Sequence, residues 1–283
     1  MPAQIIDGKA IAARVRTELR VLAENFAKEK GRQVGLAVIL AGEDPASTIY
    51  VRNKINACNE VGIRSFSYTF PASVTEEELL TQIATLNADS AVDGILVQLP
   101  LPSGINEQKV LAAILPHKDV DGFHAVNAGN LLLGKPCLAA CTPQGCIELI
   151  RSTGESIEGK NAVVIGRSNI VGKPMAMLLL QNNATVTVAH SKTRDLADIT
   201  ARADILVVAI GKKEFVTENM IKCGAIVIDV GMNRESGKLY GDVCFEGAMK
   251  KASFVTPVPG GVGPMTIAML LKNTIAAAVQ HNA

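Results

Sequence analysis

The sequence predicts an α/β fold of two lobes, an N-terminal α/β lobe and a second lobe around a parallel sheet. Three observations predict it. Short runs rich in Val, Ile and Leu alternate with longer segments whose apolar residues recur at helical spacing, the pattern of strand–helix–strand units with right-handed crossovers. Hydrophobic residues make up 48% of the chain but aromatic ones only 4%, so aliphatic side chains must build the core, as they do where helices pack on a Val/Ile-rich sheet. At 283 residues the chain exceeds the roughly 150 of an ordinary domain, which suits one large domain or two modest ones.

The elements follow in order. Ile11, Val15, Leu19, Leu22 and Phe26 trace a first helical face that Gly31 ends. Residues 36–40 form an apolar strand. Asp44-Pro45 is an N-cap followed by the first helical residue, and that helix runs through Tyr50 and Lys54 to Gly62. Residues 63–70 are a strand. Thr75-x-x-Glu78 is a capping box that opens the next helix. Residues 94–98 form a strand stopped by Leu99-Pro100-Leu101-Pro102, and residues 106–115 a helix. The irregular stretch 116–141 holds Asp119-Val120-Asp121-Gly122 and is the best domain boundary. Alternation then resumes with helix 143–151, strand 161–165, helix 171–181 and strands 185–189, 204–210 and 225–229. Phe254-Val255, a Gly/Pro cluster and a final helix over 265–279 close the chain.

Charge and cysteine usage exclude several classes. Lys and Arg number 28 and Asp and Glu 27, a formal net charge of +1, without the basic excess of a polyanion binder; no nucleic-acid partner is expected. The apolar runs at 205–210 and 225–228 fall far short of the ~20 residues of a membrane helix, and no membrane association is expected. The first residues carry Asp7 and no long apolar run, so no secretory leader is expected. The six cysteines are scattered and are expected to be reduced thiols. Cys137, Cys141 and Cys146 lack knuckle spacing and matching histidines, so they are read as small buried thiols and no metal is expected.

The second half carries a dinucleotide signal. Strand 161–165 runs into Gly166-Arg167-Ser168-Asn169-Ile170-Val171-Gly172-Lys173-Pro174 and then a helix, a strand–turn–helix junction whose amides and dipole suit a phosphate. The match to G-x-G-x-x-G is imperfect, with Ser168 at the second glycine and Val171 at the third. An NAD site would carry an acid at the end of the next strand. Here that strand ends His190-Ser191-Lys192-Thr193-Arg194, and a hydroxyl with cations suits a 2′-phosphate instead. With Arg167 in the turn, the expected cofactor is NADP. Lys192 and Arg194 also fit an ordinary solvated loop. Gly211 and Gly231-Met232 end two further strands at the same edge; their glycines either admit the cofactor or simply turn the chain.

The first half carries candidate chemistry. Tyr50 and Lys54, four apart, share a helix face. A lysine beside a phenol in an apolar cleft can exchange protons near neutral pH. The same spacing occurs on exposed helices and in short-chain dehydrogenases, but there the glycine turn precedes the pair, and here it follows. Gln98 stands at an apolar strand end. Asp121 lies in the irregular segment, where its carboxylate either accepts two hydrogen bonds from an amino-pyrimidinone edge or, like Asp119, caps a turn. Thr256-Pro257-Val258-Pro259-Gly260-Gly261-Val262-Gly263-Pro264-Met265-Thr266 makes a rigid loop exposing backbone groups.

Taken together, these segments resemble the bifunctional methylenetetrahydrofolate dehydrogenase/cyclohydrolase family. The resemblance rests on Tyr50-Val51-x-x-Lys54, the run from Asp93 to Pro102, Lys118-Asp119-Val120-Asp121-Gly122, the glycine turn and the loop from Thr256 to Thr266, all in the family's order. It implies a folate-binding catalytic lobe over residues 1–140, completed by the C-terminal helix 265–283, and a Rossmann-like NADP-binding domain over 141–264, with folate in the cleft between them. It implies Lys54 as central catalytic residue with Tyr50 and Gln98 beside it, Asp121 holding the pterin, and Leu99, Pro259, Gly260 and Gly263 lining the folate site. Gly166, Arg167, Ser168, Ser191 and Met232 would contact NADP. The implied activity is NADP-dependent oxidation of 5,10-methylenetetrahydrofolate followed by hydrolysis to 10-formyltetrahydrofolate, in a cytoplasmic homodimer. The alternatives are an NADP-dependent dehydrogenase of another small substrate and a non-catalytic NADP-binding regulator.

Overall fold

The computed structural model describes residues 2–281. In chain order the elements are β1 (Gln4–Ile5), α1 (Gly8–Lys30), β2 (Gly35–Ala41), α2 (Pro45–Val61), β3 (Arg64–Phe70), α3 (Glu76–Ala88), β4 (Gly94–Val97), α4 (Glu107–Ala113) and α5 (Ala125–Leu132). There follow α6 (Cys141–Arg151), β5 (Asn161–Ile165), α7 (Gly172–Gln181), β6 (Thr185–Ala189), α8 (Leu196–Thr200), β7 (Ile205–Val208) and β8 (Ile226–Asp229). The chain ends with β9 (Asn233–Glu235), β10 (Lys238–Tyr240), α9 (Phe245–Lys251), β11 (Phe254–Val255) and α10 (Val262–His281). It forms two compact units, one of residues 2–12 with Thr142–Thr266, the other of Ala13–Cys141 with residues 267–281.

The second of these is built on a parallel sheet in the order β3-β2-β4. β2 and β4 are buried along their whole length, which is why they read as unbroken apolar runs. Ala37, Ile39, Ile95 and Val97 pack with Leu79, Ile83 and Leu86 of α3. The predicted caps form as the sequence dictates. Asp44 accepts the Ser47 N–H at 2.7 Å, and Thr75 and Glu78 close a capping box. At the amino ends of the strands, Asp93 accepts two bonds from Arg32 (2.8 and 2.7 Å) and one from the Gly35 N–H (2.8 Å). Asp93 thus anchors the sheet at its far end. α5 was not expected. Its N-cap is His124, whose Nδ1 accepts the Val126 N–H, and imidazole is not a residue that announces a helix start.

The other unit holds a parallel six-stranded sheet in the order β1-β11-β8-β7-β5-β6. β7 and β8 are buried throughout. β1 pairs with β11, Gln4 beside Phe254 and Ile5 beside Val255, so residues 2–12 join this unit and not the expected 1–140 lobe. A two-residue strand shows no periodicity, which is why the sequence alone misplaces it. The apolar helix α10 differs from the short runs at 205–210 and 225–228. It is long and apolar enough to cross a membrane, but 61% of that stretch is buried within the protein. Its Asn273 donates to the carbonyls of Val120 (2.8 Å) and Ala139 (2.9 Å), as fits a core helix.

Candidate active site

Open α/β sheets bind ligands at the carboxyl ends of their strands, where the strand order reverses. Both units have such a point. In the three-stranded sheet it lies between β2 and β4, and in the six-stranded sheet between β5 and β7.

At the first point the chain leaves β4 through Gln98, whose N–H still bonds to the Ile39 carbonyl of β2 (2.9 Å) before the cis peptide Leu99-Pro100. The Gln98 amide donates to the Leu99 carbonyl at 2.7 Å, which leaves its Oε1 to accept from Lys54 Nζ at 3.1 Å. Lys54 reaches it from α2, where Tyr50 stands one turn earlier; both side chains are half-buried. Asp121 lies beyond a segment that runs along β4, with the Ile95 N–H bonded to the Lys118 carbonyl at 2.8 Å. Asp119 does the capping there, accepting from Phe123 N–H (3.2 Å), His124 N–H (2.8 Å) and Asn127 Nδ2 (2.8 Å). The Val120 carbonyl accepts from Asn273 and from the Cys141 thiol at 3.2 Å. Burial and the neighbouring Asp121 push that thiol well above its ordinary range, so Cys141 stays a neutral donor. Asp121, between these fixed groups, receives no hydrogen bond from the described residues. Burial pushes its carboxyl up to about 6; the charge of Lys54 opposes the shift and Asp119 adds to it. Lys54, Gln98 and Asp121 therefore form one electrostatic cluster. Cys141 and Asn273, which hold its frame, carry no sequence signal of that role.

At the second point β5 turns at Gly166 into α7. A Cβ on Gly172 would stand 2.3 Å from the Gly166 carbonyl oxygen and 2.7 Å from the Arg167 nitrogen, so only glycine lets the turn close on the helix start. Gly166, Arg167 and Ser191 line one cavity of about 270 Å³ with apolar walls from Ile165, Leu196, Ala209, Ile210 and Phe215. Lys212 and His190 complete it, and no acid stands among the lining residues. That set fits a dinucleotide carrying a 2′-phosphate: a flat apolar slot for the base, with cations and a hydroxyl for the anion.

Not every expected residue lines this cavity. Ser168 does not line the cavity; its hydroxyl accepts the Val171 and Gly172 N–H groups (3.2 and 3.3 Å) and caps the turn. Arg194 lines a different hollow with Asp195 and Asp198, and Lys192 is exposed beside the turn that Thr193 closes onto the His190 N–H. Lys212, which the sequence reading missed, is the cation that the neighbouring strand end brings in. Met232 is 48% exposed and outside the cavity lining. The missing side chain of Gly231 makes room for the carboxylate of Asp242, not for a ligand. Pro259 follows a second cis peptide, Gly260 takes φ +107°, and Gly263 lies in the first turn of α10.

The chain is similar to known proteins along nearly its whole length. The tetrahydrofolate dehydrogenase/cyclohydrolase catalytic-domain profile matches residues 6–121, and the NAD(P)-binding-domain profile of the same family matches residues 140–282. The chain is 58% identical over 279 residues to the bifunctional protein FolD of Moorella thermoacetica, covering 98% of this chain and 99% of that one. It is also 58% identical over 283 residues to that of Geobacillus thermodenitrificans, covering 99% of each. Among solved structures, FolD from Campylobacter jejuni superposes with a TM-score of 0.96 at 50% identity, covering 99% of both chains. The Trypanosoma brucei enzyme, solved with NADP and an inhibitor, gives a TM-score of 0.95 at 42% identity over 100% of this chain and 99% of that one.

Proposed function

The chain belongs to the tetrahydrofolate dehydrogenase/cyclohydrolase family, and from that premise we propose that it oxidises 5,10-methylenetetrahydrofolate with NADP⁺ and hydrolyses the methenyl product to 10-formyltetrahydrofolate. One observation carries the assignment of roles. Lys54 donates to Gln98 while facing Asp121, a desolvated carboxylate that no donor of the described residues satisfies. A polar group left open in this way is set for a ligand. The unit with Lys54 is assigned the folate and the unit with Gly166 the cofactor.

Gly166, Arg167, Ser191 and Lys212 would hold NADP⁺, with Ser168 shaping the turn. When bound there, NADP⁺ would supply the acceptor for the hydride of the methylene carbon. The chain's part in that reaction is alignment. Asp121 accepts two hydrogen bonds from the amino-pyrimidinone edge of the pterin, and Tyr50 packs against the substrate and fixes the rotamer of Lys54. Leu99 lines the folate on the same unit.

Hydrolysis needs proton movement. Water adds to the methenyl carbon and loses a proton; the carbon–nitrogen bond then opens as the ring nitrogen gains one, and one proton is released overall. Lys54 takes the proton from water and returns one to nitrogen, held in line by Gln98. The same family membership supports a homodimer acting in the cytosol.

The test uses the purified full chain with methylenetetrahydrofolate and NADP⁺. NADPH should appear together with a transient methenyl absorbance that decays to the formyl product. Bound cofactor without turnover would favour a regulator, and NADP⁺ reduction with another small substrate alone would favour a different dehydrogenase.

A further inference from the structure

Asp242 follows β10 and is fully buried, and no Lys or Arg of the described residues forms an ion pair with it. Its charge is met by hydrogen bonds. Oδ2 accepts the N–H groups of Ile210 (2.7 Å) and Gly211 (2.9 Å), and Oδ1 accepts the Lys212 N–H (2.8 Å) and the Asn233 side-chain amide (2.9 Å). Three consecutive amides thus converge on one carboxylate. Such a run of N–H groups is an anion-binding concavity, here filled by the chain's own anion.

Asp229, the last residue of β8, holds Asp242 in turn. Its Oδ1 accepts the N–H groups of Gly231 and Asp242, and its Oδ2 accepts that of Val243, each at 2.9 Å. Two glycines are forced by this arrangement. A Cβ on Gly231 would stand 2.3 Å from the Asp242 carboxyl carbon, and one on Gly241 would stand 1.8 Å from Asp229 Oδ2. The two carboxylates tie together the ends of β7 and β8 and the segment 241–243. The segment they fix is not remote: Ala209, Ile210 and Lys212 form one wall of the cavity that also holds Gly166, Arg167 and Ser191.

We propose that Asp242 is a positioning residue for the NADP⁺ cavity: it holds the backbone of Ile210–Lys212 in the conformation that makes the cavity wall, with Asp229 as its support. The proposal rests on the assignment of that cavity to NADP⁺. Its strength is that the hydrolysis step needs no NADP⁺, so the two activities report separately on the cavity and on the fold.

Asp242→Asn keeps the volume but replaces one acceptor oxygen by a donor that faces N–H groups. The expected results are a roughly tenfold rise in the KM for NADP⁺ and in its Kd by calorimetry, about 1.4 kcal/mol. Hydrolysis of methenyltetrahydrofolate should lose at least fivefold less than the dehydrogenase kcat/KM for NADP⁺. In the cofactor-free variant the amides of 210–212 should exchange hydrogen faster than in the parent. Equal loss of both activities, or an unchanged Kd, would overturn the proposal. Should Asp242→Asn fail to fold, Asn233→Ala removes a single donor from the same carboxylate and should raise the NADP⁺ Kd about threefold; no change there counts equally against it. A parent protein that binds no NADP⁺ at all would overturn the cavity assignment, and this proposal with it.

Discussion

Asp121 and Asp242 stand one at the carboxyl end of each sheet, the first half-buried and the second fully buried, and they are treated in opposite ways. Asp242 receives four hydrogen bonds, three of them from backbone amides, and these hold the chain in place. Asp121 receives none from the described residues, and burial holds its carboxyl up at about 6. Asp119, two residues earlier, shows that the difference is not one of neighbourhood, since it accepts three bonds in the same loop. The contrast is between a satisfied carboxylate, which fixes geometry, and one left open to an outside donor, the role proposed for Asp121. It also separates the two units. One exposes its chemistry on side chains, the other on backbone and on a rim of Arg167, Ser191 and Lys212.

The largest effect is expected where a side chain does the chemistry. Lys54→Met should lower the rate of methenyl hydrolysis by about 10³-fold, within the usual reach of general acid–base catalysis, while hydride transfer falls far less. Retention of both activities would remove Lys54 from its role and the contrast with it. Asp121→Ala should raise the folate KM by roughly 30-fold, on the order of 2 kcal/mol for a charged hydrogen-bonding group, and leave the KM for NADP⁺ within twofold. Equal loss of affinity for both would mark Asp121 as scaffold, like Asp119. Arg167→Ala should weaken NADP⁺ by about tenfold and NAD⁺ hardly at all, as one charge-assisted contact to a 2′-phosphate requires. Competition assays with the two cofactors measure it, and equal weakening would place Arg167 elsewhere on the dinucleotide.

How much of this was legible in the sequence follows the same division. The candidate site's side chains stand at readable spacing: Tyr50 and Lys54 one turn apart, Gln98 at a strand end, Asp121 in an irregular loop. β5 stands at the predicted residues because a buried parallel strand is a continuous apolar run. What stayed hidden depends on pairing at a distance. β1 is two residues long and exists through β11. Lys212 joins Arg167 only because β7 lies beside β5. Gly231 reads as a site for close cofactor approach until Asp242 is seen to fill the space. The Asp119–Asp121 pair could not be divided by type either, since the division is made by which amides face which oxygen.

The smallest expected effect tests the contrast on the fold itself. The carboxyl of Asp121 rises from its ordinary 3.8 to about 6 in the folded chain, with burial as the main cause. Below pH 4 the group is protonated in both folded and unfolded chains and adds nothing. Between about 4 and 6 the folded chain retains the proton that the unfolded chain releases, so stability falls as pH rises, and above 6 the full penalty is present. Asp121→Asn removes that penalty while keeping the shape. The variant should therefore be more stable than its parent at pH 7.5, by on the order of 1 kcal/mol once partial solvent screening is allowed for, or about 2 °C in Tm. The gap should close near pH 4. Asp229, which is also pushed up to about 6 by burial, titrates in both proteins and cancels in the difference. Melting curves of the two proteins across pH 4 to 8 decide it. A parent as stable as the variant at pH 7.5 would mean that Asp121 is already satisfied within the folded chain, and the distinction between the open carboxylate and the closed one would fall.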